Sequence, residues 1–215
     1  KITNSEELPG ALLQVVDKDG NVVEEWISTD KPHEIVAKLV VDESYVLREV
    51  RPADGWAYAE DVPFKVSHDG TVDYVKMEDK PTHVVISKQE ITGSKELPGC
   101  TLQVIDKNGN VVDEWVSTDQ PHEIKEKLIA DEEYTLREVR PADGWAYAED
   151  IPFKVSHDGT VDQVKMEDKP THVVVSKKKI TGKEELPGCH LVIKDKNGNV
   201  VDEWTSSTIP HEIVA

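Results

Sequence analysis

Three polar side chains in this sequence stand where core residues belong, and their types could do chemistry together. A strand sends alternate side chains to opposite faces. Read that way, Tyr134-Thr-Leu-Arg-Glu138 puts Glu138 on the face of Tyr134 and Leu136. In Thr82-His-Val-Val-Ile-Ser-Lys88, Lys88 keeps phase with Val84 and Ile86, and in Val164-Lys-Met-Glu-Asp168, Asp168 keeps phase with Val164 and Met166. Charged residues are almost never buried unless paired. A dry interior disfavours charge, turning lysine toward a neutral amine and carboxylates toward neutral acids. An amine beside an aspartic acid is a nucleophile beside an electrophile, and a glutamic acid can polarise the carbonyl and move protons. Held in contact, such groups react at a very high effective concentration, and an amide formed with loss of water removes two buried charges. The plainer alternatives are a buried salt bridge or a lysine whose tip reaches out to solvent.

The elements that must position this trio recur along the chain. Leu8-Pro-Gly10 returns as Leu97-Pro-Gly99 and Leu186-Pro-Gly188, each step being 89 residues, and Trp26, Trp115 and Trp204 keep the same step. A unit of that size suits a small β-sandwich and is too long for a solenoid repeat. The expected organisation is residues 1–81 as one unit lacking the start of its lysine strand, 82–170 as a complete unit, and 171–215 as the N-terminal part of a third. Asp-Lys-Pro-Thr linkers of a few residues imply a stiff rod. The first copy holds Glu49 and Asp79, but its lysine falls two residues before Lys1; the third holds Lys177 without partners. Only the middle copy carries the whole trio. Val15 to Val23 reads as a hairpin around Asp-Gly. Val62 to Val66 and Thr71 to Met77 read as strands, Pro98-Gly99 as a type II turn, and Pro32 to Leu39 with Pro121 to Leu128 as short helices. The fold class expected is all-β, tandem immunoglobulin-like sandwiches.

Composition excludes several functions. The formal net charge of −18 argues against nucleic acid and anionic lipid as partners. No apolar run approaches a membrane span, and no signal peptide opens the sequence. Cys100 and Cys189 are too few for a disulfide framework, and their shared column with Ala11 suggests a small buried side chain, inert, in preference to an inter-chain disulfide. His33-Glu34 and His122-Glu123 lack the second histidine of a zincin helix, with Ala37 and Glu126 in its place. Asp17-Lys-Asp-Gly-Asn21 is explained by its hairpin and lacks a calcium loop's length and terminal glutamate. Trp26, Trp56 and their equivalents could mark a glycan surface; packed core aromatics are the plainer reading. No cofactor, metal or diffusible-substrate site is expected.

The chain resembles the CnaB-type (SpaA-like, prealbumin-like) domains of Gram-positive surface adhesins and pilins. The resemblance rests on Ser87-Lys88 with Ile91-Thr-Gly93, Glu96-Leu-Pro-Gly99, Tyr134-x-Leu-x-Glu138 leading to Pro141-Ala-Asp-Gly-Trp145, and Met166-Glu-Asp168 before Pro170. It departs from the family at Trp145, where a tyrosine is usual, and at Gln89-Glu90 and Lys178-Lys179, which replace the commoner x-Asp after the lysine; neither change touches the reacting atoms. The resemblance implies a spontaneous isopeptide bond from Lys88 to Asp168 with Glu138 as catalyst, and matching roles for Glu49, Asp79 and Lys177. It implies a structural stalk or fibre repeat on a bacterial cell surface, partnered by neighbouring repeats and other copies in a fibre. It also implies no enzyme beyond this single turnover. The alternative is an adhesin module binding a host protein or glycan, for which the sequence offers no specific support; spacers of a polysaccharide-degrading enzyme are a third possibility.

Overall fold

A computed structural model describes residues 6–91 and 93–214. Among these residues every regular element is a strand. The predicted helices are therefore corrected: His122–Lys125 is a strand, and residues 32–39 carry no regular element. Ala37 and Glu126 take positive φ, 57° and 52°, which a continuing helix does not allow.

The middle repeat is a sandwich of two sheets. One has the order β10-β9-β6-β7, built from β6 (Thr101–Asp106), β7 (Val111–Val116), β9 (Glu133–Arg140) and β10 (Ile151–Lys154). The other has the order β11-β5-β8, with β5 (His83–Glu90) at its centre, flanked by β8 (His122–Lys125) antiparallel and β11 (Val161–Asp168) parallel. Period-two burial along β5 and β11 closes the core between the sheets. Val84, Ile86, Leu102, Leu136 and Met166 are essentially inaccessible, the dry environment that any charged neighbour must share.

The first repeat forms only one of these sheets, β2-β1-β3-β4, from β1 (Leu12–Asp17), β2 (Val22–Ile27), β3 (Ser44–Arg51) and β4 (Val62–Lys65). The strand expected at Thr71 to Met77 does not form a ladder, although the equivalent residues of the middle repeat form β11. The third repeat has two pairs, β12 (His172–Val175) with β15 (His211–Val214) and β13 (His190–Lys194) with β14 (Val200–Thr205).

A polar and aromatic seam joins the first two repeats. The Thr82 backbone N–H and hydroxyl both donate to the Gly55 carbonyl, and the hydroxyl also reaches the Leu128 carbonyl at 2.8 Å. The Tyr58 N–H donates to the His157 carbonyl at 3.0 Å, and the two rings stack with centroids 4.2 Å apart. Gly55 has φ +82°, and a Cβ there would lie 2.4 Å from the Glu126 carbonyl oxygen, so no other residue fits that approach.

Candidate functional site

Strand register brings the three residues together. In the parallel ladder Lys88 lies beside Met166 and Glu90 beside Asp168, so Lys88 and Asp168 are diagonal neighbours on one inward face. Glu138 arrives from the opposite sheet. Its strand β9 pairs with β6 through an irregularity in which Thr101 faces Arg140 and Leu102 faces Glu138. Val139 is thereby left outside the ladder, while Glu138 keeps the inward phase of Tyr134 and Leu136.

The relative exposures of Lys88, Glu138 and Asp168 are 1%, 6% and 1%. Lys88 Nζ donates to Asp168 Oδ1 and lies 3.0 Å from Glu138 Oε1. Glu138 Oε2 accepts the Ala148 N–H at 2.9 Å, which fixes the carboxylate, while Oε1 has no aligned hydrogen bond. Burial pushes the Asp168 carboxyl above its ordinary value although the Lys88 ammonium pulls the other way, and the Glu138 charge adds to the rise. A raised aspartic pKa favours the neutral acid, the form in which its carbonyl carbon is electrophilic. The Lys88 backbone is also fastened: its N–H donates to Glu96 Oε2 at 2.9 Å and its carbonyl accepts the Leu97 N–H.

Cys100 borders the site, its thiol 3.7 Å from Asp168 Oδ2. The sulfur and the carboxylate oxygens of Glu138 and Asp168 lie within 4.8 Å of one another, a spacing that could ligate a cation. The fit is poor. Metals take the thiolate, whereas burial pushes the Cys100 thiol up to about 11, and Lys88 already occupies the carboxylates.

The flanking repeats each hold part of this set. Glu49 and Asp79 are buried, and Glu49 Oε2 accepts the Ala59 N–H at 2.8 Å as Glu138 accepts that of Ala148. Glu49 Oε1 has no partner, and among the described residues no lysine pairs with either carboxylate. Burial raises the Glu49 carboxyl to about 7, opposed by the Ala59 bond and reinforced by the Asp79 charge; Asp79 is raised by burial as well. Lys177 is exposed. Sequence reasoning quoted Glu96 without giving it a role at Lys88, and it missed Ala148. Glu96 was legible as an acid beside the Leu-Pro-Gly turn, whereas a backbone N–H leaves no mark in sequence. Cys189 is half-buried and free; Trp56 is buried, and Trp26 and Trp115 stack on His33 and His122.

No curated protein matches the sequence. Among solved structures, the Bacillus anthracis TIE protein is 18% identical with a TM-score of 0.51; it covers 99% of this chain, which spans 42% of that protein's length. The shaft pilin SpaA of Lactobacillus rhamnosus GG is 13% identical over 76% of this chain and 88% of its own, with a TM-score of 0.37. GBS52, a minor pilin of Streptococcus agalactiae, is 14% identical over 82% of this chain and 87% of its own, also at 0.37. The first of these supports a shared fold. The model of the SpaA prealbumin-like fold domain matches residues 1–81 and again 82–170, and the chain belongs to that family.

Proposed function

We propose that this chain is a structural repeat of a bacterial surface fibre whose middle unit, residues 82–170, locks itself with an amide between Lys88 and Asp168. The observation that carries the reading is the burial of Lys88, Glu138 and Asp168 in mutual contact. The lysine nitrogen attacks the Asp168 carboxyl carbon; Glu138 takes the proton from nitrogen and returns it to the departing hydroxyl, so one C–N bond forms, one C–O bond breaks and water leaves. One ammonium and one carboxylate disappear from a region that solvates neither. The reaction turns over once, so the protein is a self-modifying scaffold and no enzyme. In the flanking units the matching roles fall to Glu49 as proton carrier and Asp79 as acceptor in 1–81 and to Lys177 as amine in 171–215, while only the middle unit holds all three groups.

The joined residues lie on the first and last strands of the unit, so tension entering at Lys88 leaves through the amide at Asp168 and bypasses the chain between. That property suits a stalk at the cell surface. Membership in the SpaA prealbumin-like family and the tandem copies agree with this reading. Intact mass of the full chain tests it: the wild type is lighter than its own sequence mass by one water, and the Glu138→Ala chain keeps its full sequence mass. The same water deficit in both chains, or in neither, defeats it.

A further inference from the structure

We propose that Cys100 is a further catalytic residue of the crosslink: its thiol marks Asp168 Oδ2 as the oxygen that stays on carbon and stabilises the charge that gathers there, leaving Oδ1 to depart as water. This assignment rests on the self-crosslinking reading above and deepens it.

The two carboxyl oxygens of Asp168 stand in different surroundings. Oδ1 receives the Lys88 ammonium, and the same Nζ lies 3.0 Å from Glu138 Oε1. Amine, proton carrier and Oδ1 therefore meet at one side of the carboxyl group, where a proton taken from nitrogen has a short route to Oδ1. Oδ2 instead receives the Cys100 thiol, whose S–H donates at 3.7 Å. Cys100 is 0% exposed and Asp168 1%, so charge appearing on Oδ2 must be met by the protein. Burial pushes the thiol up to about 11, opposed by a backbone hydrogen bond with Ala142. At neutral pH the sulfur thus keeps the proton that it donates.

The backbone that carries this thiol is clamped independently of it. The Cys100 N–H donates to Ser117 Oγ at 2.9 Å, the Ser117 hydroxyl to the Leu97 carbonyl at 2.6 Å, and the Ser117 N–H to the Cys100 carbonyl at 2.8 Å. The same clamp holds Ala11 through Ser28 and Cys189 through Ser206. One scaffold thus accepts alanine or cysteine, and what the cysteine adds beside Asp168 is a donor. The step balances. As the Lys88 nitrogen bonds to the Asp168 carboxyl carbon, the electron pair of the C=O moves onto Oδ2, and the thiol meets that charge without losing its proton. Glu138 carries the amine proton to the Oδ1 hydroxyl, the C–Oδ1 bond breaks, water leaves, and the pair on Oδ2 returns to form the amide carbonyl.

The full chain, recovered unfolded from insoluble expression with its whole sequence mass, is diluted into neutral reducing buffer and quenched in acid at intervals. Intact mass gives the fraction lighter by one water, and tryptophan fluorescence follows folding in the same mixture. Loss of a full-strength oxyanion donor costs about 10²–10³ in rate, and a thiol is a weak donor, so Cys100→Ala should close about 10-fold more slowly. Cys100→Ser restores a donor and should return to within about 3-fold of wild type. All three chains should fold at one rate and end one water light. A thiol that only filled space would leave serine, smaller and more polar, at least as slow as alanine, and that result overturns the proposal. So does closure of Cys100→Ala within about 2-fold of wild type. If the folded wild type keeps its whole sequence mass, the crosslink itself fails and the role of Cys100 with it. If the wild type loses its water and only the variant rates disagree, the crosslink stands and the role of Cys100 alone fails.

Discussion

Replacing Glu138 by glutamine isolates the covalent bond from everything else in the middle repeat. The amide oxygen can still accept the Ala148 N–H, which Glu138 receives at 2.9 Å, and Lys88 and Asp168 remain to pair with one another. What the variant cannot do is carry a proton. The residues to be joined are 80 apart in sequence. Closing a loop of that length removes about 15 cal/mol/K from the unfolded chain, or about 4.5 kcal/mol at 25 °C. For a repeat of this size each kcal/mol corresponds to roughly 4–8 °C, so the transition of the middle repeat should fall by about 20–35 °C. Calorimetry of the full chain, read beside intact mass, is the assay, because the transition of the first repeat serves as an internal control. Force spectroscopy gives a second reading: the bond withholds the chain between residues 88 and 168, about 270 Å at full extension, and Glu138→Gln should release that length. A variant that keeps its full sequence mass yet melts within about 2 °C of a wild type lighter by one water would refute the loop-closure reasoning. A variant that has lost the same water from its own sequence mass would refute the role of Glu138.

Other perturbations test the surroundings of the site. Glu49, with its carboxyl raised to about 7 from 4.5, binds a proton more tightly folded than unfolded; its contribution is fully present below about pH 4.5 and lost as pH rises through 7, so the first repeat should melt lower at pH 8 than at pH 5, by no more than about 3 kcal/mol. Glu49→Gln should flatten that dependence in thermal scans. Cys100 is buried with its thiol raised to about 11, so a thiol reagent at neutral pH should label the half-buried Cys189 and spare Cys100 until denaturant is added. Leu102→Ala empties a fully buried position and should cost about 2–5 kcal/mol in chemical denaturation, a loss the crosslink leaves unchanged because it acts on the unfolded chain.

Much of this was legible in the sequence because strands have a rigid period of two. Parity alone placed Lys88, Glu138 and Asp168 inward, and the 89-residue step separated the copy with all three from those with fewer. Two readings failed for reasons of range. Pro121 to Leu128 looks amphipathic over a helical turn, yet pairing with β5 draws His122–Lys125 into a strand, a non-local contact that outweighs local propensity. Thr71 to Met77 alternates as a strand should, but a strand exists only with a neighbour, and none pairs with it among the described residues. The interval between Lys88 and Glu138 was equally beyond sequence, since it depends on how the two sheets pack face to face.

The joint between the first two repeats has a geometric consequence of its own. Thr82 holds Gly55 and Leu128, and Tyr58 lies against His157, so the angle between the repeats is specified by short contacts on both sides of the linker. Copies joined through these same residues are all related by one rotation and one translation, which is the definition of a screw. A side chain exposed on one module then returns at a fixed azimuth and rise on the next module joined in this way.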